Sequence, residues 1–440
     1  MGKKLHYKMK TINILISILV ALIPGISDLK ATNVSGGIYA NTNWTLANSP
    51  YIVTGTLTLF PGDTLTIDPG VVVKFNNAIG FEVRGVLIAM GTVTDSIRFT
   101  SSAATPTPGI WQQVYINNNL GGSAKFQYAV FEYASTALLD ACCNSSGFLT
   151  IKHSRFYRNT TALGGYAGTL KMIVDSCYFS FNNYTVTQAD KIISNCIFVN
   201  NNYGLFSTER IAVYKSNFCG NKIALYGGRE NLQDNIIMNN GIGVKGFYEG
   251  FTNMKRNTIA KNDTGIVITG NTLDSNNIIC SNYNYNLMNL TAGNLSAKNT
   301  CWCDTSSANI SLKIYDGYDN ASYGLINFSP FAACDTSVLP LLTNCSTPDI
   351  TTLIATPVLS ATSFSLYPNP TTGKITIQLN VGVQLQNELE ICNVVGAVVY
   401  SRSLSQQVST ELDLTSFPKG IYFVKIHNRT KNQVEKMIIQ

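Results

Sequence analysis

The feature that most constrains the fold is an internal repeat in the middle of the chain. NCIFVNNNYGL at 195–205 returns as DNIIMNNGIGV at 234–244 and as RNTIAKNDTGI at 256–266. Each copy is centred on an apolar residue, and successive centres lie 23, 19, 20, 19, 22 and 20 residues apart: Phe156, Phe179, Phe198, Phe218, Ile237, Ile259 and Ile279. A period of about 20 residues is typical of solenoids, in which every repeat adds one coil of similar shape.

Other positions keep the same register and describe the coil. Apolar residues stand five before and seven after most centres, and asparagine stands three after each. Asparagine adopts the left-handed backbone conformation more readily than other non-glycine residues, and stacked asparagines can hydrogen-bond between coils. The pattern predicts short strands joined by turns and resembles that of a right-handed parallel β-helix. We therefore expect one inward stack of Phe179, Phe198, Phe218, Ile237, Ile259 and Ile279.

The segments that flank the repeats resemble the same fold. Residues 50–135 are similar to the opening of secreted β-helix proteins of the pectin-lyase-like fold, and 299–331 resembles a terminal element of that group. The resemblance implies an N-terminal cap and first coils over 28–135. It also implies regular coils and a C-terminal cap over 136–336, because a solenoid needs both of its ends covered.

The N-terminus predicts a secretory signal peptide over 1–27. A positive MGKKLHYKMK precedes an apolar run of about 13 residues, which is shorter than a membrane-spanning helix requires. The first 30 residues hold five lysines against one acidic residue, whereas 31–350 holds 19 basic and 19 acidic side chains. That neutral region lacks the excess of positive charge that nucleic-acid binding requires, so no nucleic-acid partner is expected.

The composition changes near the C-terminus. Residues 337–363 are rich in Ser, Thr and Pro and predict a linker, and 364–440 contains about seven short alternating strands, which favour a small antiparallel β-sandwich. The predicted fold class is therefore all-β, with a right-handed parallel β-helix solenoid followed by this sandwich.

Four ordered pieces of the tail, LYPNPTTG, NVVGAVVY, LDLTSFPKGIYFVKI and KMIIQ, resemble the type A sorting domain of the type IX secretion system. The resemblance implies Sec export to the periplasm, recognition by an outer-membrane translocon and removal of the tail by its sorting peptidase. Secretion or attachment to lipopolysaccharide on the outer cell surface follows. The residues that carry the sorting signal are Leu366, Tyr367, Pro368, Asn369, Pro370, Gly373, Gly396, Gly420 and Tyr422.

Two classes of function suit a β-helix of this kind. The favoured one is a glycan-binding, adhesive or structural surface protein, because the paired-Asp, Gly-His-Gly and Arg-x-Pro-x-x-Arg elements of β-helix enzymes are missing from the sequence. The alternative is a polysaccharide lyase or glycoside hydrolase acting on acidic polysaccharide. His153 begins a coil and is interpreted as a turn residue. No cofactor is expected, although Asp316 and Asp319 are candidate Ca²⁺ ligands if they are not simply an acidic turn.

One charged edge is the candidate glycan-binding site. Its members stand eleven or twelve residues after successive centres: Asp190, Glu209, Arg210, Arg229, Glu230, Tyr248 and Glu249. Arginine can hold a carboxylate in bidentate fashion and tyrosine can stack on a sugar ring, whereas the alternative interpretation is a solvated row of ion pairs. If the protein is an enzyme, Glu209 and Glu230 are the acid and base candidates.

The eleven cysteines are an odd number, so at least one is expected to be free or to pair between chains. Cys177 and Cys196 share one position of the repeat, where they are either small inward-facing residues or a disulfide across coils. Cys334 and Cys345 are predicted to form a local disulfide, and Cys301 and Cys303 compete for either partner.

Overall fold

The computed structural model describes residues 31–140, 147–165, 172–187, 191–207, 211–227, 231–246, 253–269, 276–334, 364–379, 387–393, 397–404, 409–427 and 432–440. The chain forms two compact units, Met1–Ile354 and Ala355–Gln440. The predicted signal peptide and the predicted linker over 337–363 lie outside the described residues.

The first unit is a parallel β-solenoid of about 10 turns. Each regular coil contributes three strands, and equivalent strands of successive coils pair in parallel to form three faces. Face A is a sheet of 10 strands: Thr42–Trp44, Thr64–Ile67, Val86–Met90, Ser123–Gln127, Leu149–Lys152, Met172–Asp175, Lys191–Ser194, Ile211–Tyr214, Asn231–Gln233 and Asn253–Lys255.

Faces B and C follow in each coil. Face B consists of Val72–Phe75, Ile97–Ser101, Ala129–Glu132, Arg155–Tyr157, Tyr178–Ser180, Ile197–Val199, Asn217–Cys219, Ile236–Met238, Thr258–Ala260 and Ile278–Cys280. Face C consists of Phe81–Val83, Trp111–Ile116, Ala134–Asp140, Thr161–Gly165, Tyr184–Val186, Tyr203–Ser207, Ile223–Gly227, Ile242–Gly246, Thr264–Ile268, Tyr285–Asn289 and Ile314–Tyr315. At the N-terminal end, the long strands Thr32–Ile38 and Tyr51–Leu59 serve both faces.

Short elements complete this unit. They are the 3₁₀ turns Leu46–Asn48 and Asn118–Leu120, the helix Ser307–Ser311 and the paired strands Leu295–Ser296 and Ile326–Asn327. The predicted capping role of both ends stays a prediction.

The core confirms the predicted inward stack. Phe156, Phe179, Phe198 and Phe218 occupy equivalent positions of face B, with adjacent ring centroids 4.4–4.9 Å apart and ring planes within 6° of parallel. The register continues into Ile237, Ile259 and Ile279, and all of these side chains are fully buried. Because each coil repeats the same alternation, one sequence column becomes one continuous stack.

Left-handed residues bracket the strands of face B that hold the seven repeat centres. The residue three before each centre and the residue two after it have positive φ, as at His153 and Arg158, or at Asn195 and Asn200. These two bends are why the strands of face B are so short. The turn assignment of His153 is confirmed, and its exposed ring stacks on Tyr128 at 5.1 Å.

The predicted asparagine column forms a buried ladder. Asn201 shows the pattern: its Oδ1 accepts from the backbone N–H of Asn182 at 2.9 Å, and its Nδ2 donates to the carbonyl oxygen of Phe179 at 3.0 Å. The same bonds recur at Asn159, Asn182, Asn221, Asn240, Asn262 and Asn282. The ladder satisfies the backbone groups that the adjacent bend removes from strand pairing.

The second unit is the predicted antiparallel sandwich. One sheet contains Phe364–Tyr367, Lys374–Leu379 and Ser409–Asp413, and the other contains Val398–Leu404, Asn387–Asn393, Gly420–His427 and Asn432–Ile439. Ile375 and Ile377 of the first sheet share a buried core with Leu389, Ile391 and Val424 of the second.

Candidate functional site

A polar groove follows the bend between faces B and C. It encloses about 510 Å³ and extends across five successive coils, from the coil of Phe198 to that of Ile279. The groups that define its chemistry are amides, ammonium groups, a carboxylate and a phenol: Asn200, Asn202, Asn239, Lys222, Lys261, Asp263 and Tyr283. Every one of these residues stands two to four positions after the centre of its coil, so the repeat places them in one line.

Two glycines of the groove lie where a neighbouring coil approaches closely. Gly220 has φ +67° at the left-handed bend, and a Cβ there would collide with the side chain of Asn200. Gly241 has a backbone that any residue can adopt, but a Cβ would lie 2.6 Å from the carbonyl oxygen of Lys222. A side chain at either position would push the neighbouring coil away and change the shape of the groove.

The floor of the groove is rigid. Asn201, Asn221 and Asn240 line it from below, and each holds its neighbour through the buried ladder, as in the bond between Asn221 Nδ2 and Asn240 Oδ1 at 2.9 Å. A buried network in which every polar group is hydrogen-bonded holds its side chains in fixed positions. The exposed groups therefore stand on a preorganised surface.

The exposed groups suit a hydroxylated ligand. Tyr283 is 67% exposed, and its ring can stack on the apolar face of a sugar. Asn202 is exposed and donates to Asn183 Oδ1 at 2.8 Å, and its amide group can also accept a hydrogen bond from a hydroxyl. Lys222 and Asp263 are exposed and offer opposite charges along the same line.

The candidate edge predicted from the sequence occupies a different part of each repeat. Its seven residues, Asp190, Glu209, Arg210, Arg229, Glu230, Tyr248 and Glu249, all lie outside the described residues, and they stay predictions. They follow each centre by eleven or twelve positions, whereas the groove follows it by two to four. Sequence reasoning missed the groove because it interpreted the Asn and Gly residues after each centre as turn residues and as hydrogen-bonding partners between coils, not as the lining of a groove. The signal was present as Gly220 and Gly241 in register with Lys222 and Lys261.

The possible calcium ligands form a hydrogen-bonded turn. Asp316 accepts from the backbone N–H groups of Tyr318 at 2.9 Å and Ile326 at 2.7 Å, and Asp319 accepts from that of Asp316 at 3.0 Å. These contacts are those of the acidic turn that was the alternative interpretation.

One buried carboxyl group has an unusual protonation equilibrium. Asp140 ends its strand of face C and is 1% exposed, and burial raises its pKa to about 6, against the opposing effect of the Lys191 charge. Lys191 is also buried and donates from Nζ to the carbonyl oxygen of Thr187 at 3.2 Å.

The predicted disulfide between Cys334 and Cys345 is wrong. Cys334 is bonded to Cys301, and Cys280 is bonded to Cys303. The backbone N–H of Ala332 donates to the carbonyl oxygen of Thr300 at 3.0 Å, which places the segment ending at Cys334 beside Cys301.

The three sulfurs of Cys301, Cys303 and Cys334 lie within 4.8 Å of one another, which is close enough for metal ligands. All three are engaged in disulfides, however, so none is a thiolate that could bind a metal.

Cys177 and Cys196 are free and buried, which confirms that they are small inward-facing residues. Both residues belong to a second column of hydrogen bonds between successive coils. The backbone N–H of Cys177 donates to Cys196 Sγ at 3.4 Å, and the backbone N–H of Cys196 donates to Ser216 Oγ at 3.1 Å. Burial raises the pKa of the Cys177 thiol well above its usual value, which keeps the group neutral.

In the C-terminal unit, the predicted sorting residues meet at one end of the sandwich. Asn369 Oδ1 accepts from the backbone N–H of Ile438 at 3.0 Å, and Tyr422 donates from its hydroxyl to the carbonyl oxygen of Pro418 at 2.8 Å. Gly373 has φ +116°, and a Cβ there would lie 2.7 Å from the Cα of Thr415.

The other sorting residues differ in burial. Leu366 packs against the core, whereas Tyr367, Pro368 and Pro370 are exposed, and Gly420 begins its strand with open space where a Cβ would lie. Gly396 lies outside the described residues.

Comparison with known proteins identifies this tail. Residues 365–440 match the family described as "Secretion system C-terminal sorting domain". The chain therefore carries a type IX secretion sorting domain at its C-terminus, and it belongs to the class of exported proteins with a β-helix fold.

A second match is local. A segment of 65 residues is 37% identical to part of Protein bark beetle of Drosophila melanogaster. The matched segment covers 14% of this chain and 2% of that protein. Within the residues that the structure describes, no helix has the length and apolar character needed to cross a bilayer.

Proposed function

We propose that the β-helix is a glycan-binding surface protein that holds extracellular polysaccharide along the groove between faces B and C. The observation that carries this proposal is the line of amide, ammonium and phenol groups over a rigid asparagine floor. A groove that repeats its groups at the coil spacing of about 4.8 Å suits a polymer, because a chain of similar units can meet similar contacts along its length.

The sorting domain supports delivery to the place where such a ligand occurs. The tail implies contact with the type IX secretion machinery, secretion and cell-surface attachment. We further propose Sec export directed by residues 1–27, removal of the tail by the sorting peptidase, and release or attachment to surface lipopolysaccharide.

The second candidate is a polysaccharide lyase or glycoside hydrolase. Asp140 favours it, because a carboxyl group with a pKa near 6 can serve as a general acid. Its burial favours the binding function, since a catalytic acid must reach the scissile bond. Activity assays on pectin, alginate and other uronic-acid polymers distinguish the two candidates.

A triple variant, Lys222→Ala with Lys261→Ala and Tyr283→Ala, tests the groove on an array of neutral and acidic glycans. We expect binding to weaken at least about tenfold, since loss of a stacked ring and two charged contacts exceeds 1.4 kcal/mol. The matched control replaces exposed Lys152, Lys255 and Tyr318 with Ala and should bind as the parent does. Unchanged binding by a folded triple variant contradicts the role of the groove.

The edge predicted from the sequence is tested on the same array by a second triple variant, Arg210→Ala with Arg229→Ala and Glu230→Ala.

A further inference from the structure

A second cavity lies at the bend between faces B and C, near the N-terminal end of the β-helix. It encloses about 300 Å³, and we call it the N-terminal pocket. Its lining comes from the three successive coils that contain the strands Tyr51–Leu59, Phe81–Val83 and Trp111–Ile116. The pocket is therefore built by the stacking of coils, as the groove is.

The N-terminal pocket and the groove share one edge of the β-helix. Ala78 of the pocket has φ +58° at the bend, and Asn200 and Lys261 of the groove have φ +55° and +54° at theirs. Equivalent positions of successive coils lie above one another, so both cavities lie along the same line. The strand register places four coil steps between their nearest coils, which corresponds to about 19 Å.

The polar groups of the N-terminal pocket suit hydroxyl groups of a ligand. Glu82 accepts from Arg84 Nη2 at 2.7 Å and from Asn117 Nδ2 at 2.7 Å, and the bond with Arg84 holds the pKa of Glu82 below its ordinary value. Each oxygen of the carboxylate keeps acceptor capacity for a ligand hydroxyl. The side-chain amides of Gln112 and Gln113 bond to no other described residue, and each can both donate and accept.

Apolar surface completes the N-terminal pocket. Ile79 and the ring of Tyr115 line it, and both residues are half-buried. A sugar carries hydroxyl groups around its rim and C–H groups on its faces, so a concave site of mixed polar and apolar surface suits it.

The charges along this edge favour an uncharged polymer. Glu82 lines the pocket, and in the groove Asp263 opposes Lys222 and Lys261, so positive and negative residues balance. A polyanion is attracted by a row of a single sign, and a uronate in the pocket would meet the carboxylate of Glu82. We propose that the N-terminal pocket is a second subsite for an uncharged polysaccharide that also occupies the groove. This inference rests on the proposed glycan-binding function.

The three coils between the two subsites carry aromatic residues at the same bend. Tyr157 meets Tyr133 and Phe181 edge to face, with ring centroids 6.3 Å and 5.8 Å apart. Phe181 is 43% exposed and belongs to the coil directly before the groove. A polysaccharide that crosses from the pocket to the groove would meet an exposed ring on which a sugar can stack.

Binding of size-fractionated oligosaccharides to the secreted protein tests the second subsite. Fragments of cellulose, mannan and chitin form a neutral series, fragments of pectin and alginate form an acidic one, and isothermal titration calorimetry measures both. A chain that reaches both subsites binds the second one intramolecularly. Neutral chains with an extended length of about 19 Å or more should therefore bind at least about tenfold tighter than shorter chains.

Two variants assign this gain to the N-terminal pocket. Gln112→Ala with Gln113→Ala removes both free amides, and Thr56→Trp fills the pocket from an exposed position. Each should abolish the gain of long chains and leave the affinity of short chains, which the groove alone binds, unchanged. The matched control is Gln127→Ala with Gln233→Ala, two glutamines of face A, and it should bind as the parent does.

The outcomes separate this inference from the proposed function. Binding of short chains without any gain for long ones, or a gain that persists in both folded pocket variants, overturns the second subsite and leaves the groove intact. Tighter binding of the acidic series overturns the choice of an uncharged polymer. Failure of every series to bind the parent overturns the proposed function and the second subsite together.

Discussion

The β-helix and the sorting sandwich solve the same problem of burying strands in opposite ways. In the β-helix, each contact joins residues about 20 positions apart, and the same contact recurs in the next coil. In the sandwich, the separations are unequal: Asn369 meets Ile438 across 69 positions, whereas Phe364 pairs with the much nearer Leu379.

This difference explains why the two regions show different patterns in the amino-acid sequence. A repeated contact appears as a column of similar residues, because every coil presents the same neighbours. Contacts that are not repeated appear as short motifs scattered along the sequence, because each segment of the sandwich contacts a different partner.

The largest expected effect is that of deleting the sorting domain, which should stop export without unfolding the β-helix. Deleting 364–440 should leave the β-helix folded, because its core contains no residue of the tail, but should retain the protein in the periplasm. Cell fractionation and circular dichroism of the truncated protein measure both outcomes. Normal surface delivery without the tail would contradict the role of the sorting domain.

The next effect concerns the aromatic stack. Phe198→Ala should lower the free energy of unfolding by about 3–5 kcal/mol, because the cavity lies between two neighbouring rings. Phe181→Ala is the control, since that ring is 43% exposed. Chemical denaturation measures both variants, and equal losses would show that the stack is not the main source of stability.

The buried carboxyl group predicts a pH dependence. The pKa of Asp140 rises from an ordinary 3.8 to about 6, so the folded state holds this proton more tightly than the unfolded state. Its contribution to the free energy of unfolding is full below pH 4, falls by about 3 kcal/mol as pH rises to about 6, and is constant above. Asp140→Asn should remove that slope.

Unfolding of both proteins from pH 4 to 7 measures the difference. Asp263→Asn, a change of an exposed carboxyl group, is the matched control. If Asp140→Asn leaves the parent's slope intact, another group causes it.

The smallest effect concerns one step of the ladder. Asn221→Ala should cost about 2 kcal/mol, because it leaves the buried N–H of Asn201 without an acceptor. Asn202→Ala removes an exposed amide of the same bend and should cost less than about 0.5 kcal/mol. Similar losses for both variants would argue that the ladder acts only through local turn preference.

The sequence predicted the fold more fully than the site. The inward stack, the inward position of Cys177 and Cys196 and the seven strands of the tail all follow from local alternation and period. The groove and the pairing of Cys334 do not. Gly220 and Gly241 look like ordinary turn residues until the structure shows how closely the neighbouring coil approaches them, and Cys301 is 33 positions from its partner.

By itself, the sequence determined which residues of each coil face the core, because a strand alternates its side chains and a solenoid repeats its neighbours. It also determined the sorting tail, since its motifs are short and contiguous. Only the tertiary structure decided which cysteines pair and where the surface becomes concave. Both depend on the path of the chain between distant segments, and the spacing of residues in one segment holds no information about the segment that lies beside it.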